Sequence, residues 1–319
     1  MNSNIKNFFS FVLRFGLSGA LLWWLFRKID FSQVKDAIAG ADAGFLFVAG
    51  VFFILANFVI LARWIVFIQS INLKLNVFAV TYWFFIGLFS NLFLPTGIGG
   101  DVVKIIGLCK KSSDKPKVVA SVVLDRLSGF AGIVITAIIA FAFGRNLIQN
   151  ASVQYSILIM TILSLGIVCV LFNKMIYHWF SHAFAIWPKV QLKIRELQES
   201  FLLLKNKPGQ GILAIVYSCL AQVLLAISFF YIARAMHQTI PLGYFLVFSP
   251  MVCVTSSLPS IGGLGVREAG WAYLFAGVGL SEPLAVSMSL INFTMLVLLG
   301  LVGAVLYVAS LFNRRIQRS

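Results

Sequence analysis

Six long apolar runs constrain the fold of this chain more than any other feature. They cover residues 8–26, 44–68, 118–143, 153–172, 211–235 and 284–312. A helix needs roughly 20 mostly apolar residues to cross the hydrocarbon core of a bilayer, and the runs meet that requirement. Only 11% of the 319 residues are charged, whereas soluble domains average about 25%. The sequence predicts an all-α, polytopic transmembrane helical bundle, forming a single integral membrane domain over residues 1–319. The run 8–26 is too long for the apolar core of a signal peptide, so we interpret it as the first membrane helix.

Charge is distributed unevenly among the polar connections. The chain has 25 Lys and Arg residues against 10 Asp and Glu residues, and the cations concentrate in segments 104–117 and 173–210 and in the C-terminal tail. Short basic loops are typical of the cytoplasmic side of a membrane and do not indicate nucleic-acid binding. We therefore expect an inner or plasma membrane protein with both termini in the cytoplasm. Within 173–210, apolar residues at helical spacing predict an amphipathic helix that lies on the membrane surface or packs on the ends of the bundle.

Two further apolar regions, 78–108 and 244–279, are interrupted by proline and glycine. The lysine-rich segment 104–117 faces the cytoplasm only if 78–108 enters and leaves the membrane on the same side. The charge rule does not decide the number of full crossings in 244–279, because one or three crossings there give the same position for the tail. Broken backbone at membrane depth is tolerated where it is buried in protein or lines a wet cavity. We expect two broken, re-entrant elements.

The two broken regions resemble each other in sequence. Each has Leu-Pro, then a hydroxyl residue, then three glycines, then ionisable residues close by. Opposed broken helices of this kind are typical of inverted repeats around a site near the midplane, and two ordinary kinked helices are the alternative. The backbone elements of the predicted site are Pro95, Gly97, Gly99, Gly100, Pro259, Gly262, Gly263 and Gly265.

Ionisable side chains inside membrane helices are costly, and they usually face a cavity or a partner. Asp125 and Arg126 fall well inside the run 118–143. Adjacent residues do not face each other on a helix, so each is expected to find another partner. Arg126 either holds an anionic group in a cavity or takes part in a structural ion pair. The candidate substrate-binding residues are Arg63, Asp101, Lys104, Asp125, Arg126, Arg267 and Glu268.

Evidence for catalysis in the sequence is weak. His178 and His182 have the spacing of metal ligands on a helix, but no third ligand is evident. The glycines before Asp101 do not form a P-loop, because no Lys-Ser/Thr pair follows them. We therefore predict no catalytic residue, no metal and no cofactor. Arg63 either meets a lipid phosphate or anchors the interface beside Trp64.

Several of these motifs together resemble the lysylphosphatidylglycerol synthase transmembrane family, the flippase-like membrane domain that also occurs in stand-alone proteins. The motifs are Ala62-Arg63-Trp64, Asn91 through Pro95 to Gly99-Gly100-Asp101, Asp125-Arg126-Leu127, and Leu258-Pro259 through Gly262-Gly263-Leu264-Gly265-Val266 to Arg267-Glu268. The last motif is the most specific. The family more often has Glu-Arg where this chain has Asp125-Arg126, and an Arg soon after the first acid where this chain has Lys104.

The resemblance implies a bacterial inner membrane protein that handles lipids, without the aminoacyl-transferase domain that follows in bifunctional members. The expected function is translocation of a phospholipid or a lipid-linked glycan carrier between leaflets. In that function, Arg63, Lys104, Arg126 and Arg267 would hold the headgroup phosphate, and the acids would position these cations or contact a cationic headgroup. The alternatives are a membrane-embedded transferase and a non-transporting partner subunit of an envelope enzyme. The expected partners are membrane lipids with an anionic headgroup, a second copy of the chain, or that enzyme.

Overall fold

The computed structural model describes residues 31–93, 99–144, 207–255 and 265–316, together with the single helical residues Leu158 and Ile162. All regular structure in these ranges is helical. The helices are α1 (Phe31–Ala39), α2 (Ala43–Ser70), α3 (Val77–Phe93), α4 (Gly99–Cys109), α5 (Lys115–Gly144), α6 (Pro208–Ala235), α7 (Leu242–Thr255), α8 (Val266–Ala276) and α9 (Glu282–Ile316). The expected all-α bundle is thus confirmed.

Four of the described helices, α2, α5, α6 and α9, are long and apolar enough to cross a membrane. They contain 28 to 35 residues each, or at least about 42 Å at 1.5 Å per residue, more than a hydrocarbon core of about 30 Å. They match the predicted runs 44–68, 118–143, 211–235 and 284–312. The predicted runs 8–26 and 153–172, and the amphipathic part of 173–210, lie outside the described residues.

Helices α2 and α6 form an antiparallel pair that is fixed at both ends. At one end, the Asp42 backbone N–H donates to the Ala235 carbonyl over 2.9 Å. The Asp42 carboxylate also caps α2 by accepting from two backbone N–H groups of its first turn. At the other end, Lys207 Nζ donates to Asn72 Oδ1 over 2.7 Å. The α2–α6 pair therefore gives the other helices a rigid surface.

The predicted broken region 78–108 contains two short helices, α3 and α4, which pack against each other in antiparallel orientation. Gly107 of α4 lies against the Trp83 ring, and Gly100 lies against the side chain of Asn91. With 17 and 11 residues, the helices measure about 26 and 16 Å, so neither matches the thickness of the hydrocarbon core. The antiparallel pairing fits a re-entrant hairpin, whose position in the bilayer stays a prediction.

The second broken region, 244–279, contains α7 and α8, which also contact each other. Both broken regions lie between α5 and α9, with their arms exchanged. The first arm α3 packs on α9 and the second arm α4 on α5, whereas α7 packs on α5 and α8 on α9. This exchange is expected of two elements related by a two-fold axis. The inverted repeat itself stays a prediction.

Apolar side chains divide between two buried clusters and the outer surface. One cluster includes Phe229, Phe245 and Trp271 around α6, α7 and α8. The other includes Trp64 and Phe84 around α2, α3, α4 and α5. Large apolar side chains such as Phe47, Phe78 and Val305 are strongly exposed, as expected of residues that face lipid.

Replacing Gly303 with alanine is expected to lower the free energy of unfolding by about 1–3 kcal/mol, because overpacking at a tight contact strains both helices. A Cβ atom at Gly303 would meet the backbone carbonyl of Phe85 on α3, which cannot move aside as a side chain does. Gly50 on α2 is a matched control, since a Cβ atom there meets nothing within 4 Å. Gly50→Ala should be neutral or stabilising by about 0.5–1 kcal/mol. Denaturation in detergent compares them, and equal stability of the two variants would contradict the α3–α9 contact.

Candidate functional site

Five of the seven predicted binding residues come together in one group on three helices. This charged cluster consists of Arg63 on α2, Asp101 and Lys104 on α4, and Asp125 and Arg126 on α5. Its members are separated by up to 63 positions in sequence, so the bundle rather than local structure assembles them. Within the cluster, the ion pairs divide into a buried pair and a three-residue group.

The buried pair joins Arg63 to Asp125. Arg63 Nε donates to Asp125 Oδ1 over 2.7 Å, and its Nη1 donates to the Ser218 hydroxyl of α6 over 3.1 Å. Both charged side chains are less than 10% exposed. A Cβ atom at Gly129 would lie only 3.2 Å from the guanidinium, so the small residue makes room for it. The pair thus ties α2, α5 and α6 together inside the bundle.

The three-residue group is centred on Asp101, whose two carboxylate oxygens serve two different cations. Oδ1 accepts from Lys104 Nζ over 3.3 Å, and Oδ2 accepts from Arg126 Nε. The Lys104 ammonium also lies over the rings of Trp64, 5.0 Å from the centroid, and Phe84, 4.9 Å from the centroid. Aromatic faces attract a cation, so Lys104 is held inside the protein by a carboxylate and two rings.

Arg126 differs from the other four members in its exposure. Its side chain is 43% exposed, whereas the other side chains of the cluster are between 4% and 9% exposed. An anion that approaches the cluster therefore meets the Arg126 guanidinium first. The guanidinium offers a planar set of donors that matches the oxygens of a phosphate.

The start of α4 is fixed against α3 by close backbone contact. The Gly100 N–H donates to Asn91 Oδ1 over 2.7 Å. A Cβ atom at Gly87 would lie 2.7 Å from Cε of Lys104, so the lysine stem passes directly over this glycine. Asp101 lies in the first turn of α4, where the helix dipole favours a negative charge. These contacts hold Asp101 and Lys104 in the orientation that the cluster needs.

The other two predicted residues, Arg267 and Glu268, form a separate buried pair. Arg267 Nη2 donates to Glu268 Oε1 over 2.6 Å, and Ser289 of α9 bonds to both side chains at 2.8 and 2.9 Å. Glu268 Oε2 also accepts from the backbone N–H of Gly265 over 2.6 Å. Gly265 has a φ of +87°, which glycine adopts without strain. The pair fixes the start of α8 against α9.

The structure shows which of the predicted site residues pair with each other. As expected, Asp125 and Arg126 do not neutralise each other but pair with Arg63 and Asp101. Arg267 and Glu268 do pair although they are adjacent, because both reach Ser289 at the first turn of α8. Arg63 and Trp64 are both buried, and the partner of Arg63 is Asp125.

Several predicted positions cannot be compared with the structure. Pro95, Gly97, Pro259, Gly262, Gly263, His178 and His182 lie outside the described residues. Sequence reasoning also missed contributors to the two sites: Ser218, Phe84 and Ser289. These residues are uncharged and occur in otherwise ordinary apolar runs, so only their contacts identify them.

The loop after α4 and the first turn of α5 share a partly exposed ion pair that contrasts with the buried cluster. Lys117 Nζ lies 2.6 Å from Asp114 Oδ2, with the side chains 31% and 39% exposed. The hydrogen bond from Lys117 lowers the pKa of Asp114 below its ordinary value. The small stabilisation from this pair is therefore present above the unfolded pKa and is lost as the pH falls through the folded pKa. Asp114 gives a matched control for changes at Asp101 and Asp125.

Replacing Ser289 with alanine is expected to lower the free energy of unfolding by about 1–3 kcal/mol, because it removes one partner from both buried charges of α8. Thr294→Ala on the same helix is the control, since Thr294 is exposed and bonds only to the Leu290 carbonyl of its own helix. Its effect should stay within about 0.5 kcal/mol. Denaturation in detergent measures both variants, and a Ser289→Ala protein as stable as Thr294→Ala would contradict the bonding described here.

Comparison with known proteins agrees with the helical architecture and the motifs. The family described as "Lysylphosphatidylglycerol synthase TM region" matches residues 11–303. The chain is also similar to the UPF0104 membrane protein PH1989 of Pyrococcus horikoshii, with 26% identity over 314 residues, covering 90% of this chain and 92% of the relative. The family match includes both broken regions, the charged cluster and the Arg267–Glu268 pair. This multi-pass membrane protein therefore belongs to the lysylphosphatidylglycerol synthase transmembrane family.

Proposed function

We propose that this protein moves a phospholipid or a lipid-linked glycan carrier between the leaflets of the membrane. The observation that carries the proposal is the charged cluster, in which four side chains are buried and Arg126 is 43% exposed. A bundle that needed these charges only for packing would have no reason to leave a guanidinium exposed among apolar helices. A cation at that position attracts the anionic part of a lipid that cannot otherwise enter the hydrocarbon core.

In this proposal, Arg126 makes the first contact with the headgroup phosphate. Asp101 and Lys104 lie directly behind it, and the Arg63–Asp125 pair keeps α2, α5 and α6 at a fixed separation. Arg267 and Glu268 fix the start of α8 in the second broken element. None of these roles requires a chemical change in the lipid. The acyl chains stay in the bilayer while the headgroup crosses.

Localisation is part of the same proposal. We expect the bacterial inner membrane, with both termini and the lysine-rich loop after α4 in the cytoplasm. Residues 110–117, the loop and the first turn of α5, have Lys110, Lys111, Lys115 and Lys117 against the single acid Asp114. Such an excess of cations near a helix end is retained on the cytoplasmic side.

Reconstitution of the purified full chain into liposomes tests the proposed function. Liposomes with a fluorescent phospholipid in both leaflets are treated with dithionite, which bleaches only the outer leaflet. If the protein equilibrates lipid, bleaching should pass well beyond the half seen in protein-free liposomes. Mass spectrometry of the recovered lipid distinguishes a transferase, which alters the mass of the lipid. Bleaching that stops at half, in liposomes with the folded protein, would overturn the proposal.

The orientation is tested by labelling a cysteine introduced at Ser113, in a background from which Cys109 has been removed. A cytoplasmic loop predicts that an impermeant thiol reagent added to intact cells does not label this cysteine. Permeabilised cells should be labelled fully, since Ser113 is exposed. Equal labelling before and after permeabilisation would place the loop outside the cell and contradict the assigned orientation.

A further inference from the structure

Two buried amide side chains, Gln222 on α6 and Asn292 on α9, lie apart from every ion pair described above. We infer that this amide pair is an uncharged subsite for a hydroxyl group of the lipid headgroup, which therefore carries a polyol or a sugar. The inference rests on the proposed function and adds a property of the headgroup other than its charge.

The first step is the hydrogen bonding of the two amides. Gln222 Oε1 and Asn292 Nδ2 are buried and have no hydrogen-bond partner among the described residues. Each of the two residues is only 8% exposed. Buried polar groups in proteins are nearly always paired, because an unpaired group has lost its bonds to water without replacement. The two open amide atoms therefore indicate a place where a polar group binds.

The second step is the direction of the helices that carry the amides. Gly303 of α9 lies against Phe85 of α3, and Gly300 lies against Leu92, so α9 is antiparallel to α3. The short connection 71–76 makes α3 antiparallel to α2, which is itself antiparallel to α6. Helices α6 and α9, which contact each other, therefore run in opposite directions. Because a short connection also reverses the chain between α8 and α9, α8 has the direction of α6.

The third step is the depth of Gln222. Phe229 of α6 packs on Trp271 of α8, with ring centroids 4.2 Å apart. Gln222 precedes Phe229 by seven positions on the same helix face, or about 10 Å along the axis. Gln222 therefore lies about 10 Å from the level of Trp271, toward the first residue of α8.

The depth of Asn292 follows from α8 in the same way. Arg267 lies one turn before Trp271, and its Nε donates to the Ser289 hydroxyl over 2.8 Å. Asn292 follows Ser289 by three positions on the same helix face. These two steps add up to about 10 Å from the level of Trp271, in the same direction as Gln222. The two amides therefore lie at similar depth, on two helices that contact each other.

The fourth step is the chemistry of the open atoms. Gln222 Oε1 accepts a hydrogen bond, and Asn292 Nδ2 donates one. A hydroxyl group both donates and accepts, so it satisfies both amides, alone or with a neighbouring hydroxyl. Neither amide is charged, so neither offers a phosphate or an ammonium the charge-assisted bonds of the ion pairs. The amide pair therefore suits an uncharged hydroxyl group.

The amide pair also lies between the two charged sites. Gln222 is one turn from Ser218, which bonds to Arg63 of the charged cluster. Asn292 is one turn from Ser289, which bonds to Arg267. One turn is about 6 Å along the helix. A polyol or a sugar spans that distance from a phosphate bound at the charged cluster.

The experiment measures lipid binding to the purified full chain by native mass spectrometry. The two probes are phosphatidylglycerol and phosphatidylpropanol with the same acyl chains, which carry the same charge and differ only in the two hydroxyl groups. We expect the wild-type protein to bind phosphatidylglycerol about tenfold more tightly, the effect of the hydrogen bonds that one hydroxyl makes. Equal binding of the two lipids would overturn the inference.

Two apolar variants of similar size, Gln222→Met and Asn292→Leu, locate the preference. Each should bring the two affinities to within about twofold of each other, because one hydrogen bond to the hydroxyl is lost. The melting temperature in detergent should stay the same or rise, since the amide atoms that are removed have no partner in the protein. A lower melting temperature with the preference retained would assign the amides to ordered water only and overturn the inference.

Gln210→Met is the matched control. Gln210 Oε1 also lacks a hydrogen-bond partner among the described residues, but Gln210 is only partly buried and lies in the first turn of α6. It is about 18 Å from Gln222 along the helix axis. This variant should keep the preference for phosphatidylglycerol. Loss of the preference in Gln210→Met as well would show that the amide pair does not cause it.

Two further results separate this inference from the proposed function. Preference for phosphatidylglycerol without movement of lipid in liposomes would overturn the function and support the subsite. Movement of both lipids in liposomes with equal binding would overturn the subsite and support the function. Free glycerol in the buffer should leave the preference unchanged; its loss would assign the subsite to a free polyol and overturn the lipid assignment.

Discussion

Replacing Arg126 with glutamine is expected to slow the movement of phosphate-containing lipids in liposomes by about 10- to 100-fold. The guanidinium supplies the charge that meets the headgroup, and hydrogen bonds to charged groups contribute about 1.5–3 kcal/mol each. Glutamine keeps a polar side chain at an exposed position, so the fold should be retained. The dithionite assay measures the rate, and the melting temperature in detergent checks the fold.

Arg234→Gln is the matched control for this change. Arg234 is also an exposed arginine on a long helix, where it lies 5.3 Å from the ring centroid of Phe230 and outside the charged cluster. The control removes the same charge from the protein, so the difference between the two variants reports position rather than net charge. Equal rates of lipid movement for Arg126→Gln, Arg234→Gln and the wild type would show that Arg126 takes no part in transport.

Replacing Asp125 with alanine is expected to lower the free energy of unfolding by about 3–5 kcal/mol, the largest loss of stability that we predict. The change leaves the Arg63 guanidinium buried with the Ser218 hydroxyl but without its carboxylate. Breaking a buried ion pair by removing one partner costs this much because the other charge stays uncompensated. Denaturation in detergent measures the loss.

The double variant Arg63→Met, Asp125→Leu separates the cost of an unpaired charge from the value of the pair. Replacement of a buried ion pair by apolar residues of similar volume is often neutral. The double variant should therefore recover most of the stability that Asp125→Ala loses. Asp114→Asn, in an exposed pair, should change stability by less than about 1 kcal/mol. A double variant as unstable as Asp125→Ala would show that the pair contributes more than the neutralisation of Arg63.

The long helices were predictable from the sequence because each depends on a continuous local run of apolar residues. Runs such as 44–68 and 211–235 are apolar over their whole length, and α2 and α6 extend only a few residues beyond them. The two broken regions were predictable for the same reason, since proline and glycine interrupt them. Helix ends depended on particular side chains, such as the cap from Asp42, and were placed less closely.

Which residues form the site was predictable in part from the sequence, but which of them pair with each other was not. Charge within an apolar run identified Arg63, Asp101 and Asp125 one at a time, because such residues are rare in membrane helices. Their pairing depends on which helices pack together, and no spacing within α5 indicates that Asp125 meets a residue 62 positions earlier. The uncharged partners Ser218 and Ser289 could not be distinguished from the other serines of apolar helices, since a hydroxyl in a helix commonly bonds to its own backbone.

A structure of the protein in nanodiscs that contain phosphatidylglycerol tests the central claim most directly. The account predicts a lipid phosphate within about 3 Å of the Arg126 guanidinium. The Arg63–Asp125 pair should be unchanged. Lipid phosphates found only around the outside of the bundle, and none near Arg126, would contradict it.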